Sequence, residues 1–145
     1  MQTESSTIRL AKPGDGVRIN QLSQFLGYQA LSESSAQNNL DRLLASASDK
    51  VWVYQSPGQL DGWIHLLICY RLGSQAFAEI GGIVVDAKQQ GEGIGRALVE
   101  QAVAWARLER LGLRVRCNAK REKTFKFYRA LGFNELKIQQ VLELS

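Results

Sequence analysis

Ile83-Val84-Val85-Asp86-Ala87-Lys88-Gln89-Gln90-Gly91-Glu92-Gly93-Ile94-Gly95-Arg96-Ala97-Leu98 passes from an apolar run into a loop with glycine at three alternate positions, then into a long amphipathic pattern. The apolar start reads as a buried strand and the end as the first turn of a helix. Such a junction is an anion site. Unpaired backbone N–H groups at the helix start, reinforced by the helix dipole, point at whatever sits there, and the missing Cβ atoms allow close approach to the backbone. A plain connector needs one glycine rather than three. A Walker loop would end in Gly-Lys-Ser/Thr, but Gly95 precedes Arg96 and Ala97, which excludes it. A Rossmann fingerprint requires G-x-G-x-x-G inside an N-terminal βαβ unit with an acidic residue about 20 positions later. Here Leu98 stands at the third glycine position and the following strand ends at Cys117-Asn118.

Outward from this junction the chain alternates between strand and helix patterns, without internal repeats or a dividing linker. Met1 to Ser6 reads as a flexible lead and residues 7–145 as one domain. Thr7 to Ala11 alternates as a short strand. Asp15 stands at an N-cap position before Ile19, Leu22, Phe25 and Leu26, and Ser34-Ser35 precede Leu40, Leu43, Leu44 and Ala47 at helical spacing. Val51 to Gln55, Gly62 to Tyr70 and Ala76 to Val85 have period two and are joined by turns at Ser56-Pro57-Gly58-Gln59 and Gly73-Ser74. They predict an antiparallel meander. A helix is expected over Gly95 to Leu111, capped by Gly112, then a strand over Leu113 to Cys117. Glu122 to Leu131 predicts a last helix closed by Gly132, and Ile138 to Leu144 a last strand. The order β-α-α-β-β-β-α-β-α-β is that of an α+β or mixed-sheet α/β domain.

A length of 145 residues, 45% of them hydrophobic and 22% charged, fits one globular domain. The longest apolar run, Trp63 to Tyr70, contains His65 and falls far short of the roughly 20 residues of a spanning helix. The first 20 residues have no apolar segment after a basic start, so the expected compartment is the cytoplasm, without membrane attachment. Cys69 and Cys117 lie in apolar strand-like stretches, with the spacing of neither a zinc site nor a disulfide framework; buried thiols and no metal are expected. The net charge of +4 is unevenly spread. Residues 1–95 carry 7 basic and 9 acidic side chains, residues 96–145 carry 11 and 5. The basic residues are not interleaved with stacking aromatics, which argues against a nucleic-acid partner.

Gln90-Gly91-Glu92-Gly93-Ile94-Gly95 resembles the Q/R-x-x-G-x-G/A acyl-CoA signature of the GNAT superfamily of N-acetyltransferases. Asn118 followed by Phe127-Tyr128-Arg129-Ala130-Leu131-Gly132-Phe133 resembles that family's second motif. The likeness covers roughly residues 7 to 140. It implies a splayed mixed sheet with helices on both faces and acetyl-CoA as co-substrate. The pantetheine arm would run beside Ile83, Val84 and Val85, and the pyrophosphate would meet the backbone of Gln90, Gly91, Glu92, Gly93, Ile94, Gly95 and Arg96. Gly93 and Gly95 are expected to be required small. The resemblance further implies that Asn118 either bonds the pantetheine amide or caps its own loop. Arg121, Lys123 and Lys126, with Arg96, either neutralise coenzyme phosphates or form a solvated basic face. Thr124-Phe125 stands where many relatives carry Ala-His, which bears on that contact.

Acetyl transfer to an amine needs a neutral nucleophile, because an alkyl amine with a solution pKa near ~10.4 is cationic at pH 7. Glu79, four residues before Ile83, matches the family's acidic position and is the expected base; alternatively it is a strand-end carboxylate paired with an arginine. Gly81-Gly82 suggests either a bulge that splays the strand and aims a backbone N–H at the thioester, or close helix packing. Tyr128 is the expected acid for the leaving thiolate, or an aromatic packing residue beside Phe127. His65 reads as a satisfied core histidine or as an acid–base group. No histidine accompanies Cys117, so direct transfer is preferred to an acetyl-cysteine route. Trp52, Trp63, Tyr28 and Glu33 are candidates for the acceptor cleft. The expected acceptor is a small-molecule primary amine. A protein or peptide amine, or a silent acyl-CoA-binding sensor, are the alternatives. The family often forms dimers, and a homodimer is an expected assembly.

Overall fold

A computed structural model describes residues 5–27 and 29–145 of the protein. Five strands, β1 (Thr7–Leu10), β2 (Asp49–Ser56), β3 (Gln59–Arg71), β4 (Ser74–Val85) and β5 (Gly112–Val115), lie side by side in that order. The first three pairings are antiparallel and the last, β4 to β5, is parallel. The predicted meander is therefore present, with its Pro57-Gly58 turn enabled by Gly58 at φ +87°.

Four α-helices occur among the described residues: α1 (Gly16–Ser23), α2 (Glu33–Ala45), α3 (Ile94–Leu108) and α4 (Glu122–Ala130). They cover the sheet on both sides because the strand residues alternate between two cores. On one face Ile64, Leu66, Ala78 and Ile80 pack with Leu98, Val99 and Ala102 of α3 and with Tyr128 of α4. On the other, Val51, Val53, Leu60 and Val84 pack with Leu22 of α1 and Leu40 of α2. Arg18 ties α1 to the end of β4, bonding Asp86 at 2.7 Å while its Nε donates to the Leu60 carbonyl at 2.9 Å.

Several local expectations are corrected. Asp15 does not cap α1 with its side chain. Its carboxylate instead accepts from the Lys12 amide at 2.7 Å and takes a two-pronged bond from Arg9 at 2.9 and 3.0 Å, closing the turn after β1. Helix α2 begins at Glu33 with Ser32 as its cap, accepting from the Ser35 amide. Helix α3 ends before Gly112: Arg110 takes the left-handed conformation at φ +58°, with bonds from Arg110 N to Arg107 O and from Leu111 N to Ala106 O. Gly132 does close α4 in the same way, at φ +98°. The expected strand over 138–144 is absent; residues 134–145 form no regular element. Of the N-terminal lead, residues 1–4 lie outside the described residues and Ser5-Ser6 precede β1 without regular structure.

Candidate active site

The parallel ladder between β4 and β5 runs from Phe77 opposite Gly112 to Ile80 opposite Val115, and stops there. Next to that stop, β4 carries an irregularity against β3: Ile80 faces Leu66 and Gly82 faces His65, leaving Gly81 as an extra residue. A bulge increases twist, and β4 and β5 part beyond it. The backbone of Gly82 to Val85 is consequently paired with β3 alone, and its other side has no strand partner among the described residues.

At the far end of this open segment lies the glycine loop. Asp86 caps its first turn, accepting from the Lys88 amide at 2.9 Å. That bond, followed by Arg18, holds the Asp86 carboxyl below the usual carboxylate range. Gly91 and Gly93 have φ of +88° and +83°. Gly93 is the N-cap of α3, and the first helical bond runs from Ala97 N to Gly93 O, at 3.0 Å. The amides of Ile94, Gly95 and Arg96 thus have no partner within the helix and project from its positive end. Gly95 has an ordinary helical backbone, and an added methyl would meet Phe127 at 3.5 Å and Val85 at 3.7 Å, which is normal contact. The expectation that Gly95 must be glycine is therefore not a matter of internal packing; Gly91 and Gly93 carry the conformational requirement.

Where the strands part, Glu79 leaves the sheet on the α1/α2 face, beside its partner Leu67 and on the same side as His65. Its Oε1 accepts from Arg116 Nε at 2.8 Å. Glu79 is only 15% exposed while Arg116 is 58% exposed, so the carboxylate is oriented by a partner that itself reaches water. His65 Nε2 lies 2.7 Å from Asp49 Oδ1, whose second oxygen accepts from Ser46 Oγ at 2.6 Å. The other ring nitrogen of His65 faces Gly81, where a Cβ would stand 2.8 Å from it.

On the opposite face, Tyr128 is buried, stacked edge-on against Phe127 and Phe133 at centroid distances of 5.0 and 5.3 Å. Burial, and then the neighbouring Cys117, push its hydroxyl well above the ordinary tyrosine value, which keeps it protonated. Burial also raises the thiols of Cys69 and Cys117.

The Acetyltransferase (GNAT) family matches residues 18–133 of the chain. The chain belongs to the GNAT acetyltransferase family. Solved structures carry the same fold. A putative acetyltransferase from Agrobacterium tumefaciens superposes with a TM-score of 0.85 at 23% identity, over 95% of this chain and 99% of that one. An aminoglycoside 6'-N-acetyltransferase from Acinetobacter haemolyticus gives 0.81 at 19%, over 96% and 98%. A transcriptional regulator from Bacillus halodurans gives 0.83 at 19%, over 96% and 99%. No curated protein sequence matches. The GNAT family uses acetyl-CoA as co-substrate.

Within this GNAT domain the expected site residues divide. Ile83, Val84 and Val85 form the open strand, Gln90 to Arg96 the loop and helix start, and Glu79 stands at the fork. The Asn118 side-chain oxygen caps its own loop, accepting from the Lys120 amide at 3.0 Å, which leaves its amide nitrogen as the donor available to a ligand. Of the expected basic residues, Arg96 lies on α3, Arg121 at the start of α4, and Lys123 and Lys126 on α4. Arg96 points along α3 to Glu100 at 3.0 Å, Arg121 reaches towards Gly27, and Lys123 is exposed on the first turn of α4. Trp52 is not in a cleft. It is buried under α3, edge-on to Trp105 at 6.0 Å, because its position on β2 faces the α3 core. Trp63 is on the α1/α2 face, with its ring against Gly82 and its indole N–H buried without a partner among the described residues. Glu33 is exposed at the start of α2, and Tyr28 lies outside the described residues. Arg116, Asp49 and Ser46 were not anticipated: only the β2/β3 and β4/β5 registers bring them to His65 and Glu79.

No described helix is long and apolar enough to cross a membrane. Among the described residues, no group of three His, Cys, Asp or Glu side chains is arranged to hold a metal ion.

Proposed function

We propose that the protein transfers an acetyl group directly from acetyl-CoA to a primary amine of a small-molecule acceptor. One observation carries this reading: the β4/β5 ladder ends at Ile80 and Val115, opening the strand that leads straight into the Gly91/Gly93 loop and the start of α3. An extended thioester on that strand places its diphosphate at the unpaired α3 amides and its acyl group near the fork. The acceptor nitrogen attacks the thioester carbon, forming the C–N bond. The C–S bond breaks, the amine's proton passes to Glu79, and the departing thiolate takes one from Tyr128. The raised Tyr128 value means that its hydroxyl carries a proton, and the raised Cys117 value disfavours a thiolate nucleophile and hence an acetyl-cysteine route.

Release of free thiol from acetyl-CoA across a panel of amines tests the proposal, with product mass identifying the acylated nitrogen. Glu79→Gln is expected to lower kcat by about 100-fold or more while leaving coenzyme binding intact, and Tyr128→Phe to lower kcat likewise. Turnover on peptide amines alone would reassign the acceptor, and unchanged turnover in both variants would remove both roles. A second reading, coenzyme binding without transfer, is favoured by one observation, the engagement of Glu79 by Arg116. It predicts tight coenzyme binding with no thiol release on any amine.

A further inference from the structure

Glu79 has more arginine around it than one carboxylate occupies. Asp49, Leu67, Glu79 and Arg114 form one row across β2, β3, β4 and β5, so Arg114 is the register partner of Glu79. Arg116, two residues further on, donates to Glu79 Oε1 at 2.8 Å. Residues two apart on a strand share a face, which puts Phe77 beside Glu79 on the α1/α2 side of the sheet. The core beneath α1 and α2 includes none of these side chains.

Phe77 is buried, yet it belongs to neither packed core. Arginine covers it instead. The guanidinium carbon of Arg114 lies 3.8 Å from the ring centroid, and that of Arg71, at the end of β3, lies 5.8 Å away. Stacking uses the flat face of a guanidinium and leaves the N–H donors around its edge available. Of the ion pairs among the described residues, none involves Arg71 or Arg114. Arg114 is therefore fixed by its ring contact with its fork of donors unused. The nearby carboxylate of Asp49 is engaged by His65 at 2.7 Å and by Ser46 at 2.6 Å. Three arginines against Glu79 and Asp49 leave this face positive.

We infer that the amine taken by this site also carries a carboxylate, which Arg114 receives in a two-pronged bond beside Glu79, with Arg71 and Arg116 adding positive charge. The inference rests on the acetyl-transfer reading above, in which the attacking nitrogen gives its proton to Glu79. A molecule whose nitrogen sits at Glu79 has the Arg114 donors one strand away, about 4.8 Å at ordinary strand spacing. A carboxylate supplies the pair of oxygens that matches a guanidinium fork. A polyamine brings further positive charge against three arginines and is disfavoured.

Free-thiol release from acetyl-CoA, measured on matched primary amines that carry either a carboxylate or its carboxamide, tests this. The acid is expected to have a kcat/KM about 10-fold or more above that of the carboxamide, the effect of hydrogen bonding between charged groups. A polyamine should be poorer still. Arg114→Gln should raise KM for the acid while leaving its kcat, and both constants for the carboxamide, nearly unchanged. Arg114→Lys should restore only part of the preference, because an ammonium lacks the fork. Equal turnover of acid and carboxamide, a preference for the polyamine, or a preference that survives Arg114→Gln overturns the inference and leaves acetyl transfer standing. Absence of thiol release on every amine fails the transfer reading instead. Calorimetry of the same acid and carboxamide with coenzyme A bound then decides: tighter binding of the acid supports the anion site, and equal or no binding removes it. If Arg114→Gln does not fold, the wild-type ratio of acid to carboxamide still decides.

Discussion

The two halves of β4 differ in what flanks them, and the difference assigns their roles. From Phe77 to Ile80 the strand is hydrogen-bonded on both sides, to β3 and to β5, and three of its four residues are buried. From Gly82 to Val85 it is bonded on one side only, and Val84 alone is buried. The backbone chemistry is the same in both halves. A fully paired strand spends its polar groups on structure, whereas a half-paired one keeps a row of them for a ligand. Glu79 sits one residue before the change, so its position is set by the fully paired half.

This contrast can be broken from either end. Ile80→Ala in the paired half should have the largest effect, about 2–5 kcal/mol of stability, read as a shift in denaturant midpoint. Coenzyme affinity of the folded fraction should be unchanged. A loss well below that range would mean the paired half is not core. Gly81→Ala, at the junction, brings a methyl to 2.8 Å from the His65 ring and should cost about 1–3 kcal/mol. It should also disturb the His65–Asp49 contact, and a melting curve together with the histidine nuclear resonance would show both. Gly93→Ala at the end of the open half forces a left-handed alanine, a strain of about 1–2 kcal/mol. Its distinguishing sign is weaker coenzyme binding by calorimetry, out of proportion to its effect on the rest of the fold.

The smallest effect concerns acid. Asp86 binds its proton less readily folded than unfolded, because the Lys88 amide and Arg18 hold the carboxylate. Below the ordinary carboxylate pKa of about 3.9 the unfolded chain therefore carries more protons, and stability falls as pH drops through the lower folded value. Asp86→Asn should flatten that part of the acid titration, followed by fluorescence. An unchanged profile would uncouple the anchor of the open half from Asp86.

Much of this was legible in the residue order where the cause is local. Three alternate glycines marked the loop that opens α3, Gly132 a helix end, and the alternation from Val51 to Val85 a meander. Residue order misled in three places. Arg110 replaced Gly112 at the end of α3, because two capping bonds to Arg107 and Ala106 hold a non-glycine residue left-handed there. Trp52 reads as a candidate for the acceptor cleft until the β2 register turns it under α3. The alternating residues 138–144 have every property of a strand except a neighbour within the same chain. Composition and motif determined the family-type glycine junction and the helix end at Gly132. Only the tertiary structure decided that β4 and β5 part after Ile80, that Arg116 holds Glu79, and that Asp49 holds His65. Turns and caps depend on neighbouring φ and ψ. Strand pairing and ion pairs depend on residues up to 68 positions apart, which meet only when the fold is set.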